Sequence, residues 1–237
     1  LHLLFQLFHN KLINKYKKAI ISNLFEYVKR EVKFYYQWII VNDYLPKIVD
    51  NNIIDSIFKN KREGDIFILS NGHAAYALYS VLEKYYDHID ADALVEKHGG
   101  HPNRDEENHI YCSTGSLGMG IMMGVGRALA NPDITVHVMI SDGESTEGSV
   151  WEALRYIEEK NVNNIEVYVN ANGYACYDEM DVDYLERRCK AFLPRIHFHR
   201  TQEETFPFSF LWGLDAHYIK INKEQYEEAL EVLKNER

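Results

Sequence analysis

The stretch ITVHVMISDGESTEGSVWEALRYIEEKNVNNIEVYVNANGY, residues 134–174, reads as one strand–helix–strand unit. ITVHVMIS (134–141) is dense in Val and Ile, as a buried strand is. Residues 147–160 carry helical spacing, and IEVYVN (165–170) is a second strand. Two strands joined through one helix form a parallel crossover and can lie side by side in a sheet. In such sheets ligands bind beyond the carboxyl ends of the strands. SDGE follows the first strand and NANG the second, so Asp142 and Asn172, 30 residues apart, would face one site. A carboxylate oxygen, an amide oxygen and a nearby backbone carbonyl make a hard oxygen set. That set suits Mg²⁺ or Ca²⁺, with diphosphate oxygens and water completing the shell. Gly143 would let the backbone approach a phosphate, with its amide pointing at it. Asp-Gly and Asn-Gly are also common turn formers, so the spacing alone leaves two simple turns open.

Outward from this unit the alternation continues. DIFILS (65–70) predicts a strand, NGH a turn, and AAYALYSVLEKYY a helix. Residues 98–115 have loop composition, and SLGMGIMMGVGRALA (116–130) reads as a helix whose glycines allow close packing. Beyond the opening stretch come a helix over 181–192, strands RIHFHR (195–200) and YIKIN (218–222), and a helix from Glu224. Residues 1–60, rich in Lys, Ile, Tyr and Asn, read as two or three helices. The expectation is an α/β fold: a mainly parallel sheet with helices on both faces, in three layers. Residues 61–237 would form the α/β domain, with 1–60 packing on it as a helical segment, one domain overall.

Composition narrows the function classes. With 237 residues, one large domain has a full core. A net charge of −10 argues against general nucleic-acid binding, which needs a basic face. Cys112, Cys176 and Cys189 are odd in number and lack CxxC spacing, which points to a reducing, cytoplasmic setting without a disulfide framework or zinc site. No run of about 18 apolar residues predicts a membrane span. The apolar opening LHLLFQLFHN lacks the basic start of a signal peptide and reads as part of a helix.

Several residues have structural readings of their own. Glu147 suits the first turn of a helix, and Ser145 and Thr146 suit its cap. His197 and His199 fall on one face of a strand with no third ligand in view, so they read as exposed strand residues. His98 and His101 do not read as a metal pair, and Tyr85 and Tyr86 read as packing residues.

Four motifs in order carry a resemblance. DIFILSNGHAAYALYSVL resembles the transketolase stretch in which a strand ends in SNGH. GGHPN and STGSLGMGIMMGVGRALA resemble that family's GHP loop and glycine-rich helix. Asp142 and Asn172 match its thiamine-diphosphate signature, GDG followed about thirty residues later by Asn. SDGESTEGSVWEA is similar to transketolases whose N-terminal half is a separate chain. Together the motifs span residues 65–178.

The resemblance implies roles. Asp142, Asn172 and the carbonyl of Tyr174 would hold Mg²⁺, with Ca²⁺ or Mn²⁺ as substitutes. Gly143 would bring an amide to the diphosphate, and His73 would contact the diphosphate or its surroundings. His101 would face the donor hydroxyls. Gly115 and Leu117 would pack on the aminopyrimidine and thiazolium rings of thiamine diphosphate. Glu147 would lie at a subunit interface, in a proton-linked network with a partner's acid. The implied protein is the diphosphate-binding subunit of a transketolase-like transferase in carbohydrate metabolism. It would move a two-carbon ketol unit between sugars or sugar phosphates, paired with a separate pyrimidine-domain chain in a heterotetramer, with no nucleic-acid or membrane partner.

The chain also departs from the family pattern. Residues 1–60 carry no SGHxG segment, Ser141 replaces the first Gly of GDG, and a further strand, a basic loop and the pyrimidine domain do not follow. Two other readings stay open: a subunit of a 2-oxoacid decarboxylase or dehydrogenase, and a catalytically silent scaffold.

Overall fold

The computed structural model describes residues 51–175 and 178–200, with isolated positions at 13, 15, 16, 24, 25, 27, 28, 210, 222–225, 227 and 228. Contacts divide the chain into two compact units, Leu45–Gln202 and Leu1–Tyr44 with Glu203–Arg237. The first contains the sheet. In the second, the described residues between 13 and 28, and 223–225 with 227 and 228, are helical, and Val28 is buried among Ile13, Tyr16, Leu24 and Tyr27. The expected strand YIKIN falls outside the described residues except Asn222, which is not in a strand.

In the sheet unit, helices numbered from residue 51 alternate with strands. Helix α1 is Asn51–Asn60, strand β1 Ile66–Leu69, helix α2 Ala75–Tyr85 and helix α3 Ala91–His98. Helix α4 is Met119–Ala130, strand β2 Val136–Ser141, helix α5 Gly148–Glu159 and strand β3 Ile165–Ala171. A two-stranded hairpin, β4 (Tyr174–Ala175) and β5 (Asp178–Glu179), precedes helix α6 (Val182–Phe192) and strand β6 (His197–Arg200). The main sheet is parallel throughout, in the order β1-β2-β3-β6. The crossover expected over 134–174 therefore exists, with Val136 paired to Ile165 and Ser141 to Asn170.

Alternation along each strand sorts the two faces. Ile66 and Ile68 of β1, Val136, Val138 and Ile140 of β2, and Ile165, Val167 and Val169 of β3 face one core. Ile121 and Val125 of α4, Ala153, Leu154 and Ile157 of α5, and Leu185 and Cys189 of α6 complete it. Burying each such aliphatic side chain contributes about 1.5–3 kcal/mol. α4 reaches this depth because Gly120 has no side chain: a Cβ there would stand 2.6 Å from the Cα of Ser70. On the opposite face Phe67 meets Phe58 of α1, ring centroids 5.4 Å apart. Helices therefore cover both faces, giving the three-layer α/β/α architecture.

The opposite face turns polar towards β6. His137, Tyr168 and His197 line it, with Tyr168 stacked on His197 at 4.6 Å and His197 Nε2 2.9 Å from Glu166. A cavity of about 450 Å³ lies between these side chains and α1. Among the described residues no helix is long and apolar enough to cross a membrane.

Candidate functional site

The site begins where β2 and β3 end. The main-chain amide of Asp142 still donates to Asn170 O (3.0 Å), extending the ladder by one residue before the chain turns. The Asp142 side chain is 2 % exposed. Its Oδ2 accepts from the amides of Asn172 (2.8 Å) and Gly173 (2.7 Å), and its Oδ1 from that of Gly143 (3.0 Å). Burial pushes its carboxyl above the usual range, and the three amides pull against that shift.

Asn172 Oδ1 accepts from the amide of Tyr174 (3.0 Å), the local side-chain turn that Asn favours. A Cβ on Gly143 would lie 3.7 Å from Tyr174 O, so this carbonyl oxygen lies close to the Asp142–Gly143 turn. Main chain from both strand exits thus converges on one carboxylate. The Gly143 amide, expected at a phosphate, here serves Asp142.

The other motif loops pack alongside. The glycine of SNGH opens a 3-10 turn, Gly72–Ala74, directly after β1. A Cβ on Gly72 would meet the amide nitrogen of Gly115 at 2.6 Å, and one on Gly115 would meet His101 Cδ2 at 2.7 Å. SNGH, STG and GHP therefore nest through two absent side chains. Thr114 N donates to Pro102 O (3.1 Å), locking the last two loops together. At this junction Asn71 Oδ1 and Thr114 Oγ1 are buried without a hydrogen-bond partner, which native interiors seldom tolerate away from a ligand or water site.

His73 and His101 are exposed, and Leu117 is half-buried. Glu147 is exposed at the start of α5, with its Cβ 2.8 Å from the point a Gly118 Cβ would occupy.

One reading of this region changes. Ser145 and Thr146 do not cap α5: the preceding residue Glu147 is the cap position and makes no side-chain cap. Thr146 Oγ1 instead donates back to Gly143 O (2.8 Å), and the Ser145 carbonyl accepts from Trp151 Nε1 (2.9 Å). Glu144, which the sequence did not single out, is 0 % exposed and accepts from Ser70 Oγ, Gly118 N and Ser141 N. Burial pushes its carboxyl up, against those three donors.

Other candidates find ordinary partners. His98 Nε2 lies 2.9 Å from Asp105, Tyr85 bonds Asp55, and Tyr86 stacks on His109. Cys112 and Cys189 are free and buried, their thiols pushed up to about 11 by burial. Among the described residues, no three His, Cys, Asp or Glu side chains gather as a metal cluster. A metal at the strand exits would rest on one carboxylate plus amide and carbonyl oxygens, a donor set for a hard cation rather than zinc.

The family described as "Transketolase, thiamine diphosphate binding domain" matches residues 50–193. Transketolase-like protein 2 of Mus musculus is 33 % identical over 145 residues, 55 % of this chain and 23 % of the relative. Transketolase of Homo sapiens is 30 % identical over 142 residues, 54 % of this chain and 23 % of the relative. 1-Deoxy-D-xylulose-5-phosphate synthase of Fusobacterium nucleatum is 28 % identical over 179 residues, 75 % of this chain and 28 % of the relative. The chain spans about a quarter of the length of these relatives. The matched residues hold the whole four-stranded sheet except β6, together with every motif loop described above. This chain belongs to the transketolase family, and its matched part is that family's thiamine diphosphate binding domain.

Proposed function

We propose that the chain is the diphosphate-binding subunit of a Mg²⁺-dependent enzyme that transfers a two-carbon ketol unit between sugars. A separate pyrimidine-domain chain completes its site. The observation that carries this reading is the Asp142 carboxylate, buried and held by three amides from both strand exits, with the Tyr174 carbonyl oxygen close to the adjoining Gly143. Such a carboxylate is positioned before a cation arrives, so little reorganisation opposes binding. Asn172 Oδ1 is the second ligand in this reading and gives up its bond to the Tyr174 amide. The partnerless Asn71 Oδ1 and Thr114 Oγ1 mark the adjoining loops as another place where a polar ligand or water fits.

Bound thiamine diphosphate supplies a nucleophilic carbon and an electron sink for breaking the bond beside a ketose carbonyl. The residues of this chain hold, orient and shield. Asp142, Asn172 and the Tyr174 carbonyl hold the cation that anchors the diphosphate. Gly115 and Leu117 form the wall beside the rings. Of the two histidines exposed at the loop junction, His73 contacts the diphosphate or its surroundings and His101 faces the donor hydroxyls. Glu147, exposed at the head of α5, presents a carboxylate to the partner's acid.

The test is reconstitution: the chain, a candidate pyrimidine-domain chain, thiamine diphosphate and Mg²⁺, screened for ketol transfer from ketose donors to an aldose. Transfer by the pair, lost in His101→Ala or Glu147→Gln with cofactor binding intact, supports the proposal. A pair that binds the cofactor but transfers nothing from any ketose contradicts it.

A further inference from the structure

Glu144 takes part in no step above, yet it is the most deeply buried charged group of the region, 0 % exposed. Its Oε1 accepts from Ser70 Oγ at 2.6 Å and from the Gly118 amide at 2.8 Å, and its Oε2 from the Ser141 amide at 3.1 Å. Its own amide donates to Ser141 Oγ at 3.3 Å. Ser70 follows β1 as the first residue of the SNGH turn, Ser141 ends β2 next to Asp142, and Gly118 closes the STGSLG loop. One carboxylate therefore touches three of the loops that converge on the site.

The chain gives this carboxylate a second task. Gly118 is the cap position just before helix α4; its φ of 74° is left-handed and it has no side chain to cap the helix. Glu144 reaches across from the Gly143–Thr146 turn and accepts from that amide, placing an acceptor at the positive end of the α4 dipole. Gly118 must also stay small, because a Cβ there would lie 2.4 Å from Ser149 Oγ. A buried carboxylate without a cationic partner persists only where its lone pairs are filled, and here three donors fill them.

We propose that Glu144 is a positioning residue: its carboxylate fixes the STGSLG loop, the SNGH turn and the Asp142–Gly143 turn at one separation. The assignment of those loops to thiamine diphosphate rests on the function proposed above; the latch itself does not. Partners one shell out from a metal site change affinity about 10–100-fold when removed, and Glu144 holds Ser141, the residue just before Asp142.

The experiment uses the full chain as wild type, Glu144→Gln, Glu144→Asp and Ser70→Ala. Amide exchange at Gly118, Ser141 and the central strands is read by NMR without cofactor. Affinity for thiamine diphosphate is then read by calorimetry at saturating Mg²⁺. Glutamine turns an NH₂ towards one of the three donors, and aspartate is one methylene too short to reach all of them. Both should lose protection selectively at Gly118 or Ser141, keep it at Val138 and Val167, and bind about 10–100-fold more weakly. Ser70→Ala, losing one donor, should fall between these variants and wild type. Unchanged protection at both amides, or a loss spread evenly over β2 and β3, would overturn the latch. So would full affinity in Glu144→Gln despite selective loss of protection. If the wild type binds no cofactor, alone or with a candidate partner, the functional reading fails. The exchange pattern still decides the role of Glu144.

Discussion

Asp142 and Glu144 sit two residues apart, both buried, and do opposite things. Asp142 accepts from the backbone amides of residues 143, 172 and 173, which ties its carboxylate to the two strand exits. Glu144 turns inward and is consumed by structure. The order SDGE does not reveal this, because both residues belong equally in an exposed turn. What decides between them is depth along the 3-10 turn, which only packing against Ser70 and Gly118 sets. Gly72 had no reading of its own in the sequence, which offered SNGH, GHP and STG only as separate motifs; the packing of the loops around its missing side chain comes from the fold. Gly72→Ala would drive a Cβ against the main chain of Thr114 and Gly115, which cannot swing away as a side-chain tip can. We expect a loss of about 1–3 kcal/mol of stability by denaturant unfolding, the usual range for overpacking. An unchanged midpoint would show that the two loops do not touch in solution.

At the scale of elements, strands and long helices were legible and short ones were not. The Val and Ile runs of β2 and β3 have no stable home except a sheet covered on both faces, so their pairing followed from composition and crossover length. Helix α3 hides because ADALVEKH is only 8 residues long, barely two turns in which to show a periodicity. Its signal is Asp90, whose side chain caps it by accepting from the Ala93 amide (3.1 Å). The β4–β5 hairpin is two residues per strand, too short for periodicity to show.

The polar face of the sheet makes a prediction of its own. Burial pushes His137 below its ordinary 6.5, while Asp65 and Glu166 pull it up and Lys61 and His197 add to the depression. The folded chain thus keeps this imidazole neutral, with Nδ1 3.1 Å from the Tyr168 hydroxyl. The unfolded chain takes up the proton first as pH falls. The contribution is therefore fully present above the ordinary histidine value and lost below it. Urea midpoints at about pH 7.5 and about pH 5.5 should differ by less in His137→Gln than in wild type. His109, which burial also depresses, leaves a residual slope. An identical pH dependence in the variant would contradict the buried, neutral imidazole.

At the scale of the molecule, the sheet, its covering helices and every motif loop fall within Leu45–Gln202. A unit with its own core can fold alone. Residues 45–202 expressed by themselves are expected to unfold in one cooperative denaturant transition. A broad, non-cooperative one would show that the core is completed from outside those residues, as the expectation of a single domain over the whole chain would have it.

The central claim is that the strand exits of this unit hold a cation and a diphosphate through Asp142. Its most direct test is calorimetric titration of the full chain with thiamine diphosphate, with and without Mg²⁺, repeated with a candidate pyrimidine-domain chain and with Asp142→Ala. The prediction is Mg²⁺-dependent binding that disappears in the variant while its fold, read by circular dichroism, is kept. Binding that ignores Mg²⁺ or survives Asp142→Ala, or no binding by the reconstituted pair, would contradict the account.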